Sequence, residues 1–285
     1  MFNLLNEFVR YLDKKDTFVI DAEKQRLLSY LDIKGSILEL QREIGIQRFN
    51  KRIGICINNK MDMIKAFISA LFCGYTVVPL PPNLQKTEEN KIIQENQIDK
   101  IIITGEEGIR IEKNLELIDI SRYGNSSVEG EIAHIQTNSE DIIVISYTSG
   151  TSGNESKGVK SSLDNISFVS KKYKELYKLS NESKIMTILP LWHNYGMFAC
   201  LTSAMVSGAK LLVMDKWDQK LFLNIVSTYS ADTFPGSPYM YLDLIKDGGP
   251  LEQLKSLKVC DSGGDTLPVS VIEKFEEKTM ARITE

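Results

Sequence analysis

Between Tyr147 and Val159 the chain reads Tyr-Thr-Ser-Gly-Thr-Ser-Gly-Asn-Glu-Ser-Lys-Gly-Val. Glycines let backbone N–H groups turn inward toward a ligand, hydroxyls add donors, and a lysine brings a point charge. That combination suits a phosphate. Composition alone would equally describe a polar surface loop. The segment, however, follows Ile142-Ile143-Val144-Ile145, an apolar, β-branched run with the length of a buried strand. It is not a Walker A loop, because neither Gly150 nor Gly153 has the required spacing to a Gly-Lys-Ser/Thr and Lys157 is followed by Gly158. No Gly-x-Gly-x-x-Gly is present here either, so dinucleotide hydride chemistry has no foothold.

Three later segments carry side chains of interest where a strand is expected to end. Pro190-Leu191-Trp192-His193-Asn194-Tyr195-Gly196 places a histidine just before an apolar helix. Asp232-Thr233-Phe234-Pro235-Gly236-Ser237-Pro238 and Cys260-Asp261-Ser262-Gly263-Gly264-Asp265 bring small residues and prolines to two further strand ends. Ligands in open parallel sheets bind beyond the carboxyl ends of strands, which makes such turns candidates. Ordinary turn and capping chemistry accounts for each of them taken singly.

These segments need elements to hold them, and the pattern supplies an alternation. Met1 to Lys15 puts Phe2, Leu5, Phe8, Val9 and Leu12 on one helical face. Ser36-Ile37-Leu38-Glu39 has the spacing of a capping box, predicting a helix from there to about Phe49. A strand over Arg52–Asn58, a helix over Met61–Cys73 stopped by Gly74, and a strand over Thr76–Leu80 follow. Thr87 can cap a helix running to Ile98, before a strand from Lys100 to Thr104. Residues 121–140 are polar and aperiodic, and are expected to form a surface connection between two lobes. Beyond the glycine-rich segment, Asp164 can cap a helix burying Ile166, Val169, Tyr173 and Leu176. Strands at 184–189, 210–214, 232–234 and 257–260 then alternate with helices at 196–207, 219–229, 238–246 and from Pro268 to about 278, the 257–260 strand being the last. This grammar predicts an α/β fold of layered, largely parallel sheets covered by helices.

The totals bound the function. At 285 residues, 42% apolar and 25% charged, the chain is globular in composition and long enough for a large core. A net charge of −4 argues against a nucleic-acid partner held by general electrostatics. Four scattered cysteines and two histidines give no zinc spacing and no disulfide framework, so no protein-built metal site is expected. No membrane span is expected, since the apolar stretch Gly196–Val206 falls short of the roughly 20 residues a bilayer needs. The N-terminus lacks the continuous apolar core of a secretion signal, and a cytoplasmic location follows as the expectation.

Taken together and in this order, the four segments resemble the adenylate-forming superfamily of acyl-CoA synthetases, aryl-acid ligases, luciferases and peptide-synthetase adenylation domains. Tyr147 to Gly158 is similar to that family's Tyr-Thr-Ser-Gly-Thr-Thr-Gly-x-Pro-Lys-Gly signature, and Asp62 to Pro82 resembles its helix, glycine and Val-Val-Pro-Leu-x-Pro strand. The resemblance implies the family's large N-terminal domain and a two-step reaction. A carboxylate attacks the α-phosphorus of ATP to give an acyl-adenylate and pyrophosphate, and a thiol of CoA or of a phosphopantetheine carrier protein then takes the acyl group. By this resemblance Thr148, Ser149, Gly150, Thr151, Ser152, Gly153 and Lys157 would grip the β- and γ-phosphates, with Mg2+ alongside. His193 would border the reacting carboxylate, so His193 and Lys157 are the catalytic candidates. Ser262, Gly263, Gly264 and Asp265 would lie against the adenine and the adenylate. Trp192, His193, Asn194, Tyr195, Gly236 and Ser237 would line the acyl pocket.

The chain departs from the family pattern in two places. The loop has one extra residue, no proline before Lys157, and Glu155 beside the expected phosphates. The final residues, Lys274 to Glu285, resemble the segment that leads into the family's aromatic-Gly-x-Thr-Glu motif. An incomplete large domain without the small C-terminal domain is therefore expected, whether a truncated chain, a proteolytic remnant or a split gene product, and weak catalysis by the piece alone. His193-Asn194-Tyr195 is closer to acyl-CoA synthetases and aryl-acid ligases than to amino-acid-activating members, which usually carry an aspartate there. A fatty, aryl or other simple carboxylic acid is the expected substrate. The alternative is a non-catalytic module that binds nucleotide or acyl-adenylate and keeps the fold.

Overall fold

Strands and helices alternate over residues 30–103 and again over residues 163–284, as short apolar runs punctuated by capped amphipathic segments require. The structure, a computed structural model, describes residues 2–105, 115–124, 128–148, 156–246 and 251–285. In chain order the first half carries α1 (Leu4–Val9), β1 (Thr17–Asp21), β2 (Arg26–Ser29), α2 (Tyr30–Ile44), β3 (Arg52–Ile55), α3 (Lys60–Phe72), β4 (Thr76–Pro79), α4 (Lys86–Glu95), β5 (Lys100–Ile103), β6 (Glu116–Asp119) and β7 (Ile142–Thr148). The second half carries β8 (Lys157–Ser162), α5 (Leu163–Leu176), β9 (Lys184–Thr187), α6 (Asn194–Gly196), α7 (Ser203–Ser207), β10 (Lys210–Val213), α8 (Gln219–Tyr229), β11 (Thr233–Gly236), α9 (Pro238–Lys246), β12 (Val259–Ser262), α10 (Val269–Thr279) and β13 (Arg282–Thr284).

The chain divides into two compact units, residues 1–16 with 29–168 and residues 17–28 with 169–285. The 121–140 stretch expected to join two lobes lies within the first unit, and its Ile135 is buried. That unit is built on a six-stranded sheet in the order β6-β5-β3-β4-β7-β8. All its described pairings are parallel except β7 with β8, which is antiparallel. Helix α3 is buried along its whole length, so its amphipathic signal is weak and it reads as a core helix. Two of its three charges pair inside: Lys65 lies 3.4 Å from Asp62 and donates to the Tyr123 carbonyl at 3.1 Å. Gly74 ends the helix at φ +72, and a Cβ there would fall 2.1 Å from the Gln47 carbonyl oxygen, so only glycine fits.

The second unit is built on a seven-stranded sheet in the order β13-β12-β11-β9-β10-β1-β2. The pairings from β13 through β1 are parallel. Its core stacks aromatic rings from strand and helix: Trp217 to Phe222 at 5.1 Å, Phe222 to Phe234 at 4.5 Å, Phe234 to Tyr241 at 5.1 Å and Tyr241 to Phe275 at 5.3 Å between centroids. Helices α8 and α9 span the predicted residues, because each has a clear apolar stripe and a boundary residue at its start, Asp218 as a side-chain cap for α8 and Pro238 for α9.

Several expectations are corrected. Helix α2 starts at Tyr30, not Ser36. Ser29 and Asp32 form the capping box, with the Asp32 N–H donating to Ser29 Oγ at 3.1 Å and the Ser29 N–H to Asp32 Oδ2 at 2.8 Å. Ser36 sits buried in mid-helix and donates to the Asp32 carbonyl at 2.9 Å. The helix stops at Gly45 (φ +73), before Phe49. Thr87 does not cap α4, which begins one residue earlier with no side-chain cap. Leu176, expected inside, is 50% exposed. Gly196 opens no separate helix: a helical run from Asn194 passes through a π-helical turn at Met197–Thr202 into α7. The β1–β2 ribbon and β13 had no reading in the sequence, and β13 displaces the 257–260 strand as the last. Of the four cysteines, all are free thiols; Cys73, Cys200 and Cys260 are buried and Cys56 half-buried.

Candidate functional site

The glycine-rich segment sits between the two strands of the β7–β8 hairpin. Lys157 is the first residue of β8, directly opposite Thr148 at the end of β7, so the sheet sets these two side by side. This corrects the reading of Lys157 as a loop residue; the pairing with β7 supplies a strand that its own exposed sequence does not announce. Both Thr148 and Lys157 are exposed. Ser149, Gly150, Thr151, Ser152 and Gly153 lie outside the described residues. One step back, Tyr147 faces Gly158, and a Cβ on Gly158 would lie 3.2 Å from the tyrosine ring and 3.3 Å from Ile145. The tyrosine accepts from Asn96 Nδ2 at 2.6 Å and donates to Glu95 at 3.2 Å. Burial pushes its hydroxyl above the ordinary tyrosine range, with Glu95 adding to that and the Asn96 bond opposing it.

In the second unit the three strand-end segments meet. Strands β9, β11 and β12 are neighbours in one parallel sheet, so their carboxyl ends share an edge. The turn after β9 carries Trp192, His193, Asn194 and Tyr195. His193 caps the helical run: the Tyr195 N–H donates to His193 Nδ1 at 3.2 Å. An Nδ1 that accepts leaves Nε2 to carry the ring proton. Gly196 is tucked under the same turn, where a Cβ would stand 2.3 Å from the Pro190 carbonyl oxygen.

Tyr195 is the hub. Its hydroxyl donates to Asp261 Oδ2 at 2.7 Å and lies 3.0 Å from the Asp261 carbonyl and 3.4 Å from that of Gly236. Its ring covers Gly263, where a Cβ would approach three ring carbons at 3.0–3.3 Å. The Gly263 N–H donates to the Gly236 carbonyl at 3.3 Å, tying the two turns together. Ser237 is half-buried at the start of α9, while Gly264 (φ +96) and Asp265 are exposed. The Asp265 side chain accepts from the Thr266 N–H at 2.8 Å. Within this unit the structure therefore brings Trp192–Tyr195, Gly236–Ser237 and Ser262–Gly263 to one place.

Three atoms there stand out energetically. Asn194 Oδ1, Ser262 Oγ and the Tyr177 hydroxyl are buried and have no hydrogen-bond partner. Unpaired buried polar atoms cost about 1–3 kcal/mol each, so they need an explanation. A bound polar ligand would supply one. The sequence reading missed Asp261, Tyr177 and Thr284 as members of this cluster. The one available signal was an aspartate inside the otherwise uncharged strand Val-Cys-Asp-Ser of β12. Burial, then the charge of Asp261, pushes the Tyr195 and Tyr177 hydroxyls far above the ordinary range. Among the described residues no group of three or more His, Cys, Asp or Glu side chains is placed to hold a metal ion.

Comparison with known proteins agrees with this architecture. Residues 39–285 match the family of AMP-binding enzymes, and the chain belongs to that family. It is 33% identical over 150 residues to a long-chain-fatty-acid–CoA ligase of Bacillus subtilis, covering 51% of this chain and 26% of the ligase. It is 25% identical over 288 residues to 4-coumarate–CoA ligase 1 of Solanum tuberosum, covering 90% of this chain and 52% of that enzyme. The chain thus spans about half, or less, of the length of these curated relatives. In fold it resembles ATP-bound MatB from Rhodopseudomonas palustris, with a TM-score of 0.85 at 18% identity over 99% of this chain and 59% of that one. It also resembles the N-terminal domain of FACL13 from Mycobacterium tuberculosis, with a TM-score of 0.84 at 14% identity over 99% of this chain and 74% of that one. No helix among the described residues is long and apolar enough to cross a membrane.

Proposed function

We propose that this chain serves the ATP-dependent activation of a carboxylic acid as an acyl-adenylate, with release of pyrophosphate and later transfer of the acyl group to a thiol of CoA or of a carrier protein. The acid is a fatty, aryl or other simple carboxylic acid. The observation that carries the reading is the meeting of the 190s, 230s and 260s turns at one sheet edge, with Asn194 Oδ1 and Ser262 Oγ buried and unpartnered among them. Family membership over residues 39–285 and relatives that are CoA ligases support it.

In this reading the turns have separate tasks. Pyrophosphate leaves well only when its charge is held, which is the task of Thr148, Lys157 and the 149–153 segment. His193 presents Nε2–H toward the reacting carboxylate, with Nδ1 occupied by the Tyr195 N–H. Ser262, Gly263, Gly264 and Asp265 receive the adenylate, and Trp192, Asn194, Tyr195, Gly236 and Ser237 wall the acyl group. Mg2+, when bound with the nucleotide, would offset phosphate charge, and no step here depends on protein ligands for it.

Calorimetry with a non-hydrolysable acyl-adenylate mimic tests the arrangement. Binding that weakens at least about tenfold in His193→Ala and in Ser262→Ala, each removing one polar partner, supports it. Absence of binding to the wild-type protein overturns it.

A further inference from the structure

Asp261 is a buried carboxylate, 8% exposed, and among the described residues no lysine or arginine pairs with it. Burying a charge without a cation is costly unless hydrogen bonds hold it, and its partners here are hydroxyls. Tyr195 donates to Oδ2 at 2.7 Å and Thr284 donates to Oδ1 at 2.9 Å. The residue's backbone carbonyl accepts from the Tyr241 hydroxyl at 3.0 Å and lies 3.0 Å from the Tyr195 hydroxyl. One residue thus binds the turn after β9, helix α9 and strand β13 to the end of β12. No aspartate is needed to fill that space, and an apolar residue would avoid the desolvation cost.

What the arrangement fixes is the Tyr195 ring. Two contacts to Asp261 hold the hydroxyl, and the ring then lies flat enough on Gly263 that no Cβ could be fitted there without moving it. The ring therefore forms the shared wall between the His193–Asn194 turn and the Ser262–Gly263 turn. Burial, then the charge of Asp261, pushes the hydroxyl above the ordinary tyrosine range, which favours its protonated, donating form.

We propose that Asp261 is a positioning residue of the site: by holding the Tyr195 hydroxyl it sets the ring against Gly263 and so fixes the width of the pocket wall that the acyl substrate meets. This rests on the carboxylate-activation reading for the identity of the ligand. The placement of the ring by Asp261 does not.

The test compares Asp261→Asn, Tyr195→Phe, Thr284→Val and the double variant Asp261→Asn/Tyr195→Phe in the full-length protein. Asparagine keeps the size of the side chain and phenylalanine keeps the ring, so both are expected to fold. Carboxylate-dependent pyrophosphate exchange should show KM for the acid raised about tenfold in Asp261→Asn and in Tyr195→Phe, with kcat changed less than about threefold and Thr284→Val changed in the same direction but less. The double variant should be no worse than the poorer single variant, because both break one contact. A solely structural role would lower the urea midpoint and leave KM alone, and that result overturns the proposal. An independent readout is 19F NMR with fluorotryptophan, since the chain has two tryptophans and Trp192 lies in the turn with Tyr195. Its resonance should shift in Asp261→Asn and Tyr195→Phe while that of Trp217 stays. If the wild-type protein catalyses no exchange, the activation reading falls, and the positioning of Tyr195 then stands on a Trp192 shift or falls without one.

Discussion

The two regions that carry the functional reading are held in opposite ways. At the end of the β7–β8 hairpin, Thr148 and Lys157 are exposed on paired strands, and what fixes them is the backbone ladder plus one tyrosine lying across Gly158. At the strand ends of the second unit, Asp261 and Ser262 are buried and Tyr195 half-buried, Tyr195 is hydrogen-bonded to Asp261, and the backbone is closely packed at Gly196 and Gly263, while His193, Gly264 and Asp265 are exposed at the rim. The difference follows from task. A surface that grips a highly charged, mobile polyphosphate needs accessible cations and donors, whereas a pocket that orients a carboxylate against a nucleotide needs walls that do not move. Stability and chemistry should therefore separate by region: substitutions in the buried turns cost both, and those in the hairpin cost chemistry with little loss of stability.

Gly196→Ala should break the buried region most. Its Cβ would meet the Pro190 carbonyl at 2.3 Å, a backbone atom that cannot swing away, and a loss of about 2–4 kcal/mol is expected in urea unfolding. Tyr241→Phe comes next. It strips a buried hydroxyl that serves the Phe234 carbonyl at 2.8 Å and the Asp261 carbonyl at 3.0 Å, with an expected cost of about 1–2 kcal/mol by the same measurement.

Alkali sharpens the contrast further. Tyr195, Tyr177 and Tyr241 have hydroxyls raised in the folded state, and Tyr173 is pushed up to about 12. A raised tyrosine binds its proton more tightly folded than unfolded. Its contribution is complete below the unfolded value of 10.0 and is lost as pH rises from there through the folded value. Urea unfolding at pH 9, 10 and 11 should show stability falling with pH, and Tyr195→Phe should flatten that fall by up to about 1.4 kcal/mol per pH unit. An unchanged slope would mean that the Tyr195 hydroxyl is not buried against Asp261.

The hairpin should respond weakly. Gly158→Ala meets the ring of Tyr147, a side chain able to give by a few tenths of an ångström, so a loss under about 1 kcal/mol is expected. Lys157→Ala, at an exposed position, should stay within about 0.5 kcal/mol of wild type in stability. Its pyrophosphate exchange should nevertheless fall at least about tenfold. Equal losses of stability and rate in Lys157→Ala would erase the distinction between the two regions.

How much of this could be seen in the sequence follows the same division. Helices α8 and α9 were legible because an apolar stripe and a marked start coincide in a short window, and β9, β10, β11 and β12 of the second unit were legible as short strands, whereas β1, β2 and β13 were not. Helix α2 was displaced because Ser36 and Glu39 match the capping spacing as well as Ser29 and Asp32 do. Only the packing that buries Ser36 decides between them. Strand β8 has four exposed residues at its start and no alternation of its own, so its pairing with β7 could not be read from residues 157–162. The site was legible as segments and not as contacts. His193, Gly236 and Gly263 each stand in a recognisable turn, but Tyr195 reaches Asp261 across 66 residues of chain, a distance over which local pattern carries no information.

The most direct test of the central claim is carboxylate-dependent exchange of labelled pyrophosphate into ATP by the full-length protein, run across aliphatic, aryl and amino acids. The account predicts exchange with at least one aliphatic or aryl acid, dependent on that acid and reduced in Lys157→Ala and His193→Ala. No exchange with any acid, from a folded protein that holds nucleotide, would contradict it.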